Sequence, residues 1–506
     1  MLANYKKTAC LLGALSALAF PPIYAFPLFI LSLCLALKIT DNVKNIKQAS
    51  LLGYCFGILY FVVGFYWICN ALLVEFSTFG WLYPIGLIAI GGFFGLFMIP
   101  PFLIWYVLRK KSNWVKIFSF ASVWVLLEIL RSFLLTGFPW NLLGTIFAFH
   151  EIFIQTASIW GTYGLSFIAL IITGCVYAFF NDNKKSAMIV LCAILLFIIM
   201  FGLVRVNKYE IDNSNVKIRL VQPSIPQSMK WERNELENNF KQYIDLSAED
   251  GIDTIDFVVW GETALPFDVE YNLKYREMIK RAIPKNGYLI TGLVRFDISD
   301  GMYKPYNSMY VLDKNVDIKA FYDKNHLVPF GEYLPLRKYL PDWIQPIASN
   351  VSDFAQGKKY KNITIENYPD FAALICYEII FPDEVINRNN KPDWLVVLTN
   401  DGWYGSSSGP YQHLVATQMR AVEEGITIVR SANSGISAII SPTGKIVNQI
   451  MLNQKGYIDV YLPKNTAVKT IYNTAGKNIV LIIIFVLMLL IVTTKSCKSV
   501  KIQNKN

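Results

Sequence analysis

The sequence predicts a multi-span α-helical membrane bundle joined to a layered α/β domain, and three observations carry that prediction. Only 17% of the residues are charged and 54% are hydrophobic, against about 25% and 45–50% in soluble globular domains. The shortage of charge is confined to residues 1–205 and 478–506. Between them, residues 206–477 have the composition of a soluble protein, with short apolar runs separated by helix-like stretches. Such a chain is not disordered, collagen-like or a coiled coil, and it is not one soluble domain.

The first element is the bundle. A bilayer core needs about 20 apolar residues per helix. Seven runs before residue 206 approach that length, at 8–20, 23–38, 50–74, 82–108, 115–134, 154–180 and 186–205, and an eighth lies at 478–494. The first two are short and divided by Pro21–Pro22, which predicts a tight helical hairpin. A cleaved signal peptide, charged at Lys6 and Lys7 and cut near Ala17-Leu18-Ala19, is the other reading of the first run. The apolar run that follows at once favours an integral start.

Lysines and arginines orient the bundle. With the N-terminus in the cytoplasm, that side holds Lys6, Lys7, Lys38, Lys44, Lys47, Arg109, Lys110, Lys111, Lys116, Lys184, Lys185, Lys495, Lys498, Lys501 and Lys505. The short loops opposite hold only Arg131. Residues 206–477 then lie outside the cytoplasm, and both termini lie inside. The net charge of +10 is explained by this topology, and no nucleic-acid partner is expected.

Of the eight cysteines, Cys10, Cys34, Cys55, Cys69, Cys175 and Cys192 fall in predicted spans, where small thiols serve as packing. Cys497 falls in the tail. The outer domain has only Cys376, which has no intradomain partner in an oxidising compartment. It is either a buried inert thiol or a reactive one. The three histidines, His150, His326 and His413, are far apart in sequence, and no metal-ligand spacing or phosphate loop occurs. No metal or cofactor is expected.

In the outer domain, Val216–Val221, Ile255–Trp260, Tyr288–Val294, Ser308–Leu312, Phe371–Cys376, Trp394–Thr399, Ile426–Arg430 and Ser437–Ile440 read as buried strands. Residues 232–249 and 411–424 read as helices. Alternation of this kind gives sheets covered on their faces, with functional groups at strand ends. Glu262, Lys324 and Cys376 stand at or near such ends. Singly, each has a plain reading: a turn glutamate, a solvated loop lysine, a packing thiol.

Together, Trp260-Gly261-Glu262-Thr263, Lys324 with Leu327-Val328-Pro329-Phe330-Gly331-Glu332, and Cys376-Tyr377-Glu378 resemble the carbon–nitrogen hydrolase (nitrilase) superfamily over about residues 216–460. The resemblance implies a nitrilase-like αββα sandwich with a Glu–Lys–Cys triad. Such a domain between seven spans and a final one resembles the membrane-embedded apolipoprotein N-acyltransferase family. Further local matches are Thr136-Gly137-Phe138-Pro139-Trp140, Gly161-Thr162-Tyr163-Gly164-Leu165-Ser166-Phe167, Gln222, Trp231 and Asn400-Asp401-Gly402-Trp403-Tyr404.

That family resemblance implies transfer of a fatty acyl chain from a phospholipid to the N-terminal amine of diacylglyceryl-modified apolipoproteins, through a thioester on Cys376. Glu262 would be the general base and Lys324 the oxyanion's counter-charge, joined by a backbone N–H near Tyr377. Trp231, Glu332, Tyr377 and Glu378 would support them. The resemblance also implies a bacterial inner-membrane protein, monomeric, with its catalytic domain on the periplasmic side. Phe138–Trp140 and Trp403–Tyr404 are candidates for interfacial contacts or for plain core packing. A membrane-anchored amidase or nitrilase would share the triad. A non-enzymatic lipid-binding or transport protein would carry ionisable groups in mid-membrane, where only Glu128 lies, one turn before Arg131.

Overall fold

Long apolar runs have no way to satisfy their backbone in lipid except as helices, and the N-terminal runs form them. The computed structural model describes residues 4–181, 183–209, 213–267, 269–297, 303–341, 345–347, 352–359, 362–464 and 468–503, with side chains as far as Ile491. Lys505 and the side chains of Lys495, Cys497, Lys498 and Lys501 lie outside the described residues.

The chain divides into two units, one of residues 1–66, 81–207 and 470–506, the other of residues 67–80 and 208–469. Among the described residues, five of the seven runs expected before residue 206 are helical stretches long and apolar enough to cross a membrane: Ile46–Val74, Phe76–Val107, Asn113–Arg131, Ala157–Phe179 and Lys184–Lys208. The first two are helices of 13 and 16 residues, Tyr5–Ala17 and Phe26–Asp41, shorter than the roughly 20 a simple span needs. They pack together as the expected hairpin, with Pro21–Pro22 between them. The last helix runs Asn478–Gln503. Asn45 and Ser112 cap two of these helices by accepting from Gln48 N–H and Val115 N–H.

Two of the quoted motifs are structural joints of the first unit. Glu128 Oε1 accepts from Leu143 N–H at 2.8 Å, and Arg131 Nη1 donates to the Trp140 carbonyl at 2.7 Å. The acid and base thus staple the loop after Thr136-Gly137-Phe138-Pro139-Trp140, and Trp140 is buried. Gly161 has φ +69°, and a Cβ there would stand 2.3 Å from the Tyr472 ring. Only glycine meets both demands.

The second unit is built on two six-stranded sheets. Their orders are β12-β1-β2-β3-β4-β5 and β11-β10-β9-β8-β7-β6. The first comprises β1 (Asn213–Gln222), β2 (Phe257–Val259), β3 (Tyr288–Asp297), β4 (Lys304–Leu312), β5 (Ile318–Asp323) and β12 (Gly456–Pro463). The second comprises β6 (Asn362–Ile363), β7 (Phe371–Ile375), β8 (Trp394–Thr399), β9 (Thr427–Ala432), β10 (Ser437–Ile440) and β11 (Ile446–Ile450). β1, β2 and β3 run parallel, as do β7, β8 and β9, and the flanking pairs are antiparallel.

The period of two decides which way each side chain faces. Ile218, Leu220, Phe257, Val259 and Ile290 face Phe371, Ala373, Ile375, Trp394, Val396 and Leu398 in the core between the sheets. Their alternates Val221, Val258, Trp260 and Leu289 face Phe240, Tyr243 and Ile244 of helix Leu236–Ser247, with Ile279 of helix Leu273–Ile279. Helix Gly409–Glu424 packs on β9 and on the turn Cys376–Ile380. The architecture is the αββα sandwich.

Candidate active site

The parallel strands β2, β7 and β8 deliver their C-terminal ends to one place, the usual position for function in such sheets. Gly261 follows β2 because the chain passes against the Asn433 backbone, where a Cβ would come within 2.6 Å. Glu262 comes next and is buried, its N–H donating to the Thr399 carbonyl at 3.3 Å. Cys376 follows β7 directly with φ +52°, a left-handed conformation that costs an L-residue roughly 1–2 kcal/mol. Lys324 follows β5, its N–H held by the Asn307 carbonyl at 2.8 Å.

Lys324 is 1% exposed and paired with two carboxylates. Its Nζ lies 2.9 Å from Glu332 Oε1 and 3.7 Å from Glu262 Oε1. Burial opposes its charge, but Glu332 and then Glu262 outweigh it and hold its pKa above the ordinary lysine value. Asn307 Nδ2 joins the same two carboxylates, at 2.8 Å from each Oε1. Glu332 Oε2 accepts from Val328 N–H at 2.8 Å, which ties Lys324's counter-ion to its own loop.

The Cys376 thiol feels this cluster. Burial, then the Glu262 charge, pushes its pKa up to about 12, and Lys324 pulls the other way. Cys376 therefore rests as a neutral thiol beside Glu262 and the Lys324 ammonium ion.

The supporting residues divide by geometry. Glu332 holds Lys324. Glu378 is a brace: Oε1 accepts from Tyr322 O–H at 2.8 Å, Asn325 N–H at 2.8 Å and His326 N–H at 3.0 Å, and Oε2 from Ile375 N–H at 2.7 Å. It fixes the loop after Lys324 to the end of β7. The Tyr377 ring is buried against His326 and Phe381. Trp231 is 44% exposed. Gln222 stands apart from the cluster, binding the Met451 and Gln454 carbonyls and Ser437.

Lys230, Asn307 and Asn70 have no counterpart in the sequence reading, whereas Tyr404 closes the Asn400-Asp401-Gly402-Trp403-Tyr404 match quoted above. Lys230 is buried, donating to the Glu262 carbonyl at 2.9 Å and Thr263 Oγ1 at 2.7 Å. Burial lowers its pKa to about 8, against the opposing pull of Glu262 and Cys376. Asn307 is a buried amide in a strand otherwise rich in apolar residues, the only local signal it offers. Tyr404 is hydrogen-bonded to the Cys376 side chain and stacks edge-on against Trp67 at 4.5 Å, so its ring belongs to the surroundings of the Cys376 thiol. Asn70 Nδ2 donates to the Tyr404 carbonyl at 2.8 Å.

A buried Glu–Lys–Cys cluster at the strand ends of an αββα sandwich defines a carbon–nitrogen hydrolase-type enzyme, here in one chain with membrane-spanning helices. Residues 217–472 match the family "Carbon-nitrogen hydrolase", and residues 12–175 match "Apolipoprotein N-acyltransferase N-terminal domain". The apolipoprotein N-acyltransferase of Rickettsia prowazekii is 38% identical over 504 residues, covering 96% of this chain and 98% of that protein. That of Rhodopseudomonas palustris is 34% identical over 509 residues, covering 96% and 94%. The chain belongs to the apolipoprotein N-acyltransferase family.

Proposed function

We propose that the chain moves a fatty acyl group from a membrane phospholipid to the N-terminal amine of a diacylglyceryl-cysteine apolipoprotein, through a thioester on Cys376. The observation that carries this reading is the buried thiol flanked by Glu262 and by a lysine held cationic between two glutamates. Glu262 takes the thiol proton as sulfur attacks the ester carbonyl carbon. The negative charge that develops on the carbonyl oxygen meets Lys324 and the Tyr377 N–H. Breaking the C–O bond releases a lysophospholipid, whose glycerol oxygen receives the proton from Glu262. In the second half the amine nitrogen attacks the thioester carbon and gives its proton to Glu262. The C–S bond then breaks and the thiolate is reprotonated.

Lys230 and Asn307 set up the base. Lys230 grips the Glu262 carbonyl, and Asn307 fixes the carboxylate's rotamer. Both substrates carry acyl chains that cost about 0.8 kcal/mol per CH₂ to move into water, which favours a catalyst embedded beside its substrates. In this reading the protein is a monomer of a bacterial inner membrane, with residues 206–477 on the periplasmic face and both termini in the cytoplasm.

Intact mass spectrometry tests the scheme. Protein incubated with a phospholipid of one defined acyl chain should gain that acyl mass on Cys376. Adding a diacylglyceryl lipopeptide should move the mass to the peptide's amine faster than water removes it. Discharge by water at the same rate would favour a membrane-bound hydrolase, and no adduct at all would overturn the thioester.

A further inference from the structure

Behind the nucleophile lies a second buried polar cluster. His413, on helix Gly409–Glu424, directs Nε2 at the Cys376 carbonyl oxygen, 3.1 Å away. Its Nδ1 is 2.8 Å from Asp401 Oδ1. Asp401 also accepts from Thr399 Oγ1 at 3.1 Å and, through Oδ2, from Arg430 Nη2 at 2.6 Å. His413 and Arg430 are fully buried and Asp401 is 1% exposed. Burying three such groups costs several kcal/mol unless they are paired, so the cluster is a demanding arrangement to keep under a single backbone carbonyl.

The hydrogen positions follow from the acceptors. A carbonyl oxygen at 3.1 Å requires a hydrogen on Nε2, because the opposite tautomer would set two lone pairs face to face. Asp401 is held ionised, since Arg430 and His413 outweigh the effect of burial. Burial and then Arg430 lower the His413 pKa, while Asp401 and the Cys376 carbonyl raise it. The Nε2 hydrogen is present in the imidazolium, whose Nδ1–H donates to Asp401, and in the Nε2–H neutral tautomer, whose Nδ1 accepts from Arg430 Nη2 at 3.2 Å.

The Cys376 carbonyl belongs to the peptide group whose N–H is that of Tyr377. We infer that His413 is a positioning residue for oxyanion stabilisation, holding the Cys376–Tyr377 peptide by its carbonyl and so aiming and polarising its N–H toward the reacting carbonyl. This rests on the thioester mechanism proposed above. A donor on the oxygen draws electron density through the amide resonance, and hydrogen bonds in series strengthen one another. Asp401 and Arg430 both face Nδ1, and between them they keep the ring from turning away in either protonation state. The left-handed φ of Cys376 makes such a restraint necessary, because a strained residue persists only where its surroundings over-determine it.

The test uses the full-length protein in detergent micelles with phospholipid whose ester carbonyls carry ¹³C. The acyl-enzyme's labelled thioester carbonyl is read by difference infrared spectroscopy, and its formation by intact mass. In His413→Ala, acylation should slow about 10- to 100-fold, less than the 10²–10³ expected for deleting an oxyanion donor outright. The thioester band should move to higher frequency than in the parent. His413→Gln, whose amide can reach the carbonyl, should restore most of both, and the shorter His413→Asn should not. A slowed variant with an unmoved band would make the role merely structural and overturn the inference, as would parental rate and band in His413→Ala. Should the alanine variant fail to fold, equal bands in the Gln and Asn variants would overturn it. A parent that forms no adduct would overturn the underlying mechanism and this inference with it.

Discussion

Glu332 Oε1 lies 2.9 Å from Lys324 Nζ, nearer than the Glu262 oxygen at 3.7 Å. The glutamate nearer the cation is therefore not the proposed base. Glu332→Gln should let Lys324 draw in Glu262. Acylation should fall at least tenfold and stability by about 3 kcal/mol, the lower range for breaking a buried pair. Single-turnover acylation together with denaturant unfolding measures both.

The nucleophile assignment has the sharpest outcome. Cys376→Ala should form no adduct and transfer no acyl chain. Cys376→Ser should be nearly as inactive, because a hydroxyl needs stronger activation than the thiol. Near-normal turnover by the alanine variant would remove the thioester from the scheme.

The charges around Cys376 predict opposite pH shifts. Glu262 raises the thiol pKa and Lys324 lowers it. Alkylation of Cys376 by iodoacetamide follows the thiolate. Its alkaline midpoint should move down in Glu262→Gln and up in Lys324→Met. Both variants should nonetheless lose acylation, by about 10²–10⁴ for the lost base and about 10²–10³ for the lost oxyanion charge. Midpoints moving in the same direction would refute the arrangement.

Lys230 gives a stability signature. Its folded pKa of about 8 lies below the unfolded value near 10.4, so between those values the native state binds fewer protons. Parent stability should therefore rise with pH across that window relative to Lys230→Met, by about 3 kcal/mol for a shift of that size. Below pH 8 the variant escapes the burial penalty but leaves the Glu262 carbonyl without its donor. Denaturation of both proteins at pH 7 and pH 10 measures the difference.

Orientation is checked on intact spheroplasts. A membrane-impermeant amine reagent should label lysines of residues 206–477 and spare Lys110, Lys111 and Lys116. The reverse pattern would overturn the proposed topology.

What the sequence reveals depends on whether a signal is local. Trp394–Thr399 and Ser437–Ile440 are readable to the residue, because continuous apolar runs between polar or turn-forming residues can only be buried strands. β5 and β11 are not, since half-exposed strands such as Ile318–Asp323 mix lysine and aspartate with apolar residues. The first two helices are apolar enough to resemble spans, and only their length of 13 and 16 residues separates them. Glu262 and Cys376 are legible because each closes an apolar run. Lys230, Asn307 and His413 are not, because each is defined by a carbonyl or carboxylate distant in sequence. His413 offers no metal-ligand spacing, and its role lies in one contact with Cys376, 37 residues away.

The left-handed backbone at Cys376 sets folding and chemistry against each other at one residue. Glycine there would relieve about 1–2 kcal/mol of steric conflict and give back about 0.4–1 kcal/mol through a freer unfolded chain. Against that stands the side chain itself, buried in the core between the sheets, whose removal would leave a cavity. In the thioester scheme proposed above, the residue that reacts is thus also the one that carries the strain, and the packing around its sulfur repays it.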